Sequence, residues 1–336
     1  MISFKIQKGA IYMGFLVEGE WRDEWYDTDA TDGEFVREEV QFRDWIKADG
    51  TTPFTPERGR YHLYVSYACP WAHRTLIFRK LKGLEDIISI SVVDPFMGED
   101  GWFFSDAPKA IPDQVNGVTY LRDIYLKAKS DYTGHVTVPV LWDKKTETIV
   151  NNESSEIIRI FNSAFDELTG STLDFYPEEL REQIDILNEE IYENVNNGVY
   201  QCGFATSQEA YEDAFSRLFG TLDKLETILS KQSYLCGEQV TEADLRLLPT
   251  LLRFDPVYYG HFKCNLRRLA EYEHLSHYMR ALYQGLGLAE ITHIDHIKEH
   301  YYSSHETINP TRIVPKGPVL RYDAPHNRKK VTLRPA

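Results

Sequence analysis

Residues Tyr61–Leu81, YHLYVSYACPWAHRTLIFRKL, carry the chain from an apolar strand into a helix with a cysteine at the junction. β-Formers alternate from His62 to Ser66, and Leu76, Ile77, Lys80 and Leu81 recur at helical spacing. The break falls at Cys69-Pro70. Proline suits a first helical turn, where its missing N–H has no partner to lose, so the helix is expected to begin within a residue of Cys69. A thiol there faces unpaired N–H groups and the positive end of the helix, which favour thiolate and predict a nucleophile at neutral pH. The competing expectation is a small buried hydrophobe, the commoner fate of a free cysteine.

Downstream, Ile87–Val93 (IISISVV) fits a buried strand, so 61–67, 70–82 and 87–93 form a βαβ unit with parallel pairing. From Asp94 to about His135 the periodicity dissolves into a long connection, which usually signals function. Two short strands follow, Thr137–Trp142 and Thr148–Val150, joined by Asp143–Thr146, and then a helix from Glu153 to Phe165. This order is thioredoxin-like. After Gly170 the pattern is helical: Leu180, Ile184, Leu187, Ile191 and Val195 make one core stripe, and Tyr211 to Leu229 another. Thr241-Glu242-Ala243-Asp244 has the form of a capping box flanked by the staple pair Val240 and Leu245, and further helices are expected at 265–286 and 293–302. Ahead of the βαβ unit, aromatic segments at Trp21, Trp25 and Tyr26 and a short helix from Glu34 to Ile46 are expected. The expected division is an arm at 1–58, an α/β thioredoxin-like domain at 59–168, an all-helical domain at 169–304 and an extended tail at 305–336.

With 336 residues, 42% hydrophobic and 13% aromatic, the chain can build two cores. Lys plus Arg number 37 against 52 Asp plus Glu, and a net charge of −15 argues against nucleic-acid or anionic-membrane partners. Four scattered cysteines, Cys69, Cys202, Cys236 and Cys264, match neither a disulfide framework nor a metal knuckle and suggest a reducing, cytoplasmic setting. The run Gly9–Val17 behind Lys5 and Lys8 superficially resembles a signal peptide, but Glu18, Glu20, Arg22 and Asp23 follow without a small-residue cleavage site. No stretch has the length of a membrane span.

Ala72 stands where a dithiol oxidoreductase keeps its resolving cysteine, so a disulfide formed at Cys69 must be opened by an external thiol. Glutathione is the obvious donor. Val138-Pro139 opens a strand, where proline is unusual unless the peptide is cis at an edge; the freed Val138 backbone then suits an extended peptide. Glu153-Ser154 opens a helix, whose N–H groups and serine hydroxyl suit a carboxylate while the glutamate pairs an α-ammonium; ordinary capping is compatible with this. His73 and Arg74 follow the cysteine and could add positive potential near the thiolate, but their side chains on a helix can equally point away, so at best a supporting role is expected. His296 and His300 have i, i+4 spacing without the pattern of a metal site, and no metal is expected.

The segments YHLYVSYACPWAHRTLIFRKLKGLE, TVPVLWDKKTETIVNNESSEIIR, NNGVYQCGFATSQEAYE and RFDPVYYGHFKCN, with HIKEHYYSSHETINP, resemble the glutathionyl-hydroquinone reductases, the xi class of glutathione transferases, over nearly the whole chain. That resemblance implies a thioredoxin-like N-terminal domain, an all-helical C-terminal glutathione-transferase domain and a homodimer. It implies Cys69 as catalytic cysteine, Trp102 as the cover over glutathione, Val138 as the residue pairing the glutathione cysteine, and Glu153 with Ser154 at its γ-glutamyl end. Tyr200, Tyr258 and Tyr301 match the tyrosines lining the aromatic-substrate pocket, Tyr200 and Tyr301 also serving as proton donors. Tyr259 and Tyr302 adjoin two of them, leaving open which neighbour faces inward. The implied activity is glutathione-dependent reduction of glutathionyl-hydroquinones to hydroquinones through a Cys69–glutathione mixed disulfide. The alternatives are an omega-like thioltransferase or dehydroascorbate reductase using the same cysteine, and a non-catalytic binding module.

Overall fold

A computed structural model describes residues 14–23, 28–331 and 333. Trp25, Tyr26, Pro335, Lys5, Lys8 and residues 9–13 lie outside them. The elements in order are β1 (Phe15–Val17), β2 (Glu20–Arg22), β3 (Tyr61–Val65), α1 (Pro70–Leu81), β4 (Ser89–Val92), α2 (Leu121–Ala128), β5 (Gly134–His135), β6 (Val140–Asp143), β7 (Thr148–Asn151), α3 (Ser154–Ser163) and α4 (Asp166–Thr169). Helices then take over: α5 (Arg181–Ile191), α6 (Gly198–Phe204), α7 (Gln208–Leu229), α8 (Glu242–Arg253), α9 (Glu273–Gly285) and α10 (Ile294–Ser304).

The main sheet has the order β4-β3-β6-β7, with β3 parallel to β4 and antiparallel to β6. All five residues of β3 are buried, because the sheet is covered on both faces and each side of the strand meets a core. Helices α1 and α3 pack together, and α1 also meets α8 of the helical region. That double burial explains why α1 hides His73 and Arg74 along with Leu76, Ile77 and Phe78. Helix α8 begins at the expected capping box: Asp244 accepts from the Thr241 N–H at 2.8 Å and from the Thr241 hydroxyl at 2.9 Å.

Three expectations need correction. Glu34–Ile46 is not a helix. Its backbone instead pairs with the β7 edge, Asp44 N–H donating to the Val150 carbonyl at 2.9 Å and Asn152 N–H to the Phe42 carbonyl at 3.0 Å. A strand edge satisfies these groups and is itself protected in return. The connection 94–135 is not wholly irregular, since α2 lies within it and buries Leu121, Ile124 and Tyr125; eight residues are too few to stand out from the surrounding breakers. The helix expected from 265 begins only at Glu273, after a 3₁₀ turn at Leu269–Glu271. The arm is also tied into the body by β1, which pairs antiparallel with both β2 and β5.

Candidate active site

Cys69 is the N-cap of α1, with Pro70 at the first helical position. It is partly exposed, and its Sγ lies 3.5 Å from the Val138 carbonyl oxygen. The Val138-Pro139 peptide is cis. Tyr125, fully buried on α2, holds the approach to it: its hydroxyl donates to the Thr137 carbonyl at 2.8 Å and accepts from the Thr137 N–H at 3.2 Å. The Val138 N–H has no acceptor among the described residues, so a strand-like peptide can use it beside the sulfur.

Glu153 caps α3, its Oε1 accepting from the Ser155 N–H at 2.9 Å and the Ser155 hydroxyl at 2.8 Å. Ser154 is buried, with its hydroxyl 3.5 Å from the Arg74 guanidinium. Val138, Glu153 and Ser154 line one open cleft, about 650 Å³ with the solvent at its mouth included, together with Trp71, Tyr192 and Arg37 of the arm. The cleft has the parts needed for a zwitterionic peptide: a backbone edge, a carboxylate for an ammonium, and a serine at a helix N-terminus for a carboxylate.

Beyond Trp71 lies a cluster of phenols. The Tyr200 and Tyr301 hydroxyl oxygens are 2.5 Å apart, and those of Tyr258 and Tyr301 are 3.2 Å apart. Tyr258 and Tyr301 are buried; Tyr302 turns to the Pro256 carbonyl and Tyr259 lies under Arg268. The inward member of each pair is therefore Tyr258 and Tyr301. Burial, then the charge of Cys69, pushes Tyr200 up to about 12, and burial holds Tyr258 and Tyr301 well above the ordinary phenol value. All three are donors at neutral pH.

Two site expectations fare differently. Trp102 is buried and stacked on the His300 ring at 4.7 Å, and it does not line the cleft that holds Val138 and Glu153. The Cys69 thiol is pushed up rather than down. Burial is the main cause; the Ala72 N–H, the Arg253 charge, the Trp71 N–H and the Arg37 charge pull it back without reversing the direction. A helix N-terminus alone does not offset the loss of hydration around the sulfur.

His73 and Arg74 face the helical region. The Arg74 guanidinium donates to Asn196 Oδ1 at 2.7 Å and lies over Trp71, while His73 Nδ1 is 3.1 Å from the Arg253 guanidinium. His296 and His300 bond the Pro108 and Pro95 carbonyls. Sequence reasoning missed Arg37, Trp71, Tyr192 and Arg253. Only Trp71, two residues from the cysteine, has a signal in its position; Arg37 lies in the 34–46 segment, whose spacing predicts a helix.

Comparison with known proteins gives the family. The glutathione S-transferase N-terminal domain family matches residues 68–164, and the corresponding C-terminal domain family matches residues 208–281. Glutathionyl-hydroquinone reductase YqjG of Escherichia coli (strain K12) is 54% identical over 323 residues, covering 94% of this chain and 98% of its own length. Glutathionyl-hydroquinone reductase PcpF of Sphingobium chlorophenolicum is 54% identical over 306 residues, with coverage of 91% and 96%. Among solved structures, a xi-class glutathione transferase from Natrialba magadii superposes with a TM-score of 0.90 at 52% identity, covering 94% of this chain and 97% of that one. The glutathione-bound structure of YqjG gives 0.86 at 52% identity, covering 94% and 99%.

Proposed function

The chain belongs to the glutathionyl-hydroquinone reductases, the xi class of glutathione transferases, and from that premise we propose that Cys69 carries its glutathione-dependent reduction of glutathionyl-hydroquinones to hydroquinones. One observation supports this most: a single thiol, with Ala72 instead of a resolving cysteine, stands between a peptide-binding cleft and three protonated phenols.

In the proposed mechanism, the γ-glutamyl end of the conjugate lies at Glu153 and Ser154, and its cysteinyl backbone pairs with Val138. The Cys69 thiolate attacks the glutathionyl sulfur. With a proton placed on the sulfur-bearing carbon and the ring in its keto form, the S–S bond forms as the carbon–sulfur bond breaks, and its electron pair passes through the ring to the carbonyl oxygen. Tyr200 and Tyr301 stabilise the charge developing on the ring oxygens and deliver the proton to carbon, with Tyr258 supporting Tyr301 and lining the aromatic site. Hydroquinone leaves, and the thiolate of a second glutathione opens the Cys69–glutathione disulfide. Glutathionyl-hydroquinone and glutathione thus become hydroquinone and oxidised glutathione. Trp102 enters this scheme as a cover over glutathione only if it leaves His300.

Following free hydroquinone after adding a glutathionyl-hydroquinone tests the scheme. Wild-type protein is expected to release it and Cys69→Ala to release none; equal rates would move the chemistry away from Cys69. Turnover of small disulfides alone would favour the omega-like alternative. The domain boundaries at 58, 168 and 304, the homodimer and the cytoplasmic setting belong to the same proposal. Four free thiols suit a reducing compartment, and among the described residues no helix is long and apolar enough to cross a membrane. Sedimentation equilibrium returning the mass of one chain would overturn the dimer.

A further inference from the structure

We propose that Arg253, the last residue of α8, is a positioning residue for this reaction: its buried guanidinium fixes the backbone that leads into Cys69 and is the standing counter-charge for the Cys69 thiolate. Arg253 is 0% exposed. Its Nε donates to the Ala68 carbonyl at 2.8 Å and one terminal nitrogen to the Tyr67 carbonyl at 3.0 Å. The other terminal nitrogen donates to the Pro249 carbonyl at 2.9 Å and to His73 Nδ1 at 3.1 Å. One side chain from the helical region thus holds the two carbonyls just before the cysteine and the imidazole four residues after it.

None of its partners is anionic. No carboxylate among the described residues forms an ion pair with Arg253, although other buried cations such as Arg60 and Lys82 have one. A guanidinium cannot shed its proton, and a buried charge without a counter-ion is costly, so the arrangement leaves room for an anion that comes and goes. The Cys69 thiolate is that anion: formed for the attack, neutralised in the mixed disulfide, and released again when the second glutathione opens it. The inference rests on Cys69 being the nucleophile.

Among the described residues, the charged and titratable groups that act on Cys69 are Arg253 from α8, Arg37 from the arm and Tyr200 from α6, while His73 of its own helix turns to Arg253. Tyr200 is a neutral phenol there, and burial, then the Arg253 charge, keeps His73 neutral. Two cations remain. Arg37 is only partly buried and therefore screened by salt, whereas Arg253 is not.

Alkylation of Cys69 by iodoacetamide against pH reads the thiol directly and needs no hydroquinone, so its result is independent of whether that substrate turns over; Cys202, Cys236 and Cys264 are buried. In Arg253→Met the midpoint is expected to rise by about one pH unit, lowering the thiolate fraction at pH 7 about tenfold. Arg253→Lys, which keeps the charge without the fork, is expected to recover most of that rise. A folded Arg253→Met protein whose profile overlays wild type, with only its melting temperature lowered, would overturn the proposal. The unaltered protein supplies a second test that does not depend on how the variants fold. Its midpoint is expected to stay within about 0.2 pH units between 0.05 and 0.5 M salt, and a rise beyond that would assign the counter-charge to Arg37 instead.

Discussion

Tyr301 is the hinge of the phenol cluster, since its hydroxyl meets both Tyr200 and Tyr258. Tyr301→Phe removes both contacts while keeping the ring, and is expected to slow hydroquinone release about a hundredfold. Disulfide exchange at Cys69 should be nearly unchanged, so comparing the two rates in one preparation checks the assignment. The pH dependence has a definite sign. Burial raises Cys69, so less thiolate is present at low pH and the rate should climb as pH rises through that pKa. With Tyr200 at about 12, and burial holding Tyr258 and Tyr301 well above the ordinary phenol value, none of the three ionises in the range where enzymes are assayed. A falling limb below about pH 10 in the rate profile would show that a phenol with an ordinary pKa is the donor instead.

At the scale of elements, two helices are extended by π-helical turns where the site needs side chains. Tyr192–Asn196 follows α5 and sets Tyr192 in the cleft and Asn196 against Arg74; Phe254–Tyr258 follows α8 and turns Tyr258 toward Tyr301. Such turns shift the helical register and re-aim everything after them, which a three-and-four pattern cannot anticipate. Helix α8 is in turn anchored at its start. Asp244, buried, accepts from Thr241 twice, from the Leu235 N–H at 2.9 Å and from the Tyr278 hydroxyl at 2.6 Å. Asp244→Ala strands several buried donors at once, and a loss of about 3 kcal/mol is expected in urea denaturation. A change below about 1 kcal/mol would mean that water replaces the carboxylate at little cost.

Across the whole molecule, the sheet-bearing and helical regions are joined through Glu242. Its buried carboxylate accepts from Arg159 of α3 at 2.9 Å, from Asn188 of α5 at 2.9 Å and from Arg246 of α8 at 3.3 Å. Because Arg159 is part-exposed and also pairs with Asp185, breaking the junction should fall at the lower end for a buried pair, about 3 kcal/mol for Glu242→Ala. Thermal denaturation checks this, with an unchanged melting temperature as the contrary result. The junction matters to the site because Trp71, Tyr192 and Tyr200 meet across it.

The residues alone determined the strand–Cys69–helix junction, the absence of a resolving thiol, the βαβ unit, the capping box of α8 and the core stripes of the helical region. Each is encoded by neighbours within a few turns of one another, and the long motifs added the family. Tertiary structure decided what depends on distant partners. The arm abandoned its expected helix because the β7 edge accepts its backbone. Trp102 lies on His300 because a ring in a long connection stacks where the packing leaves a face. Cys69 is a less acidic thiol than its helix position suggests, because its burial is set by elements distant in the sequence. The cation that opposes that burial, Arg253, comes 184 positions after the cysteine, a separation no local pattern can bridge.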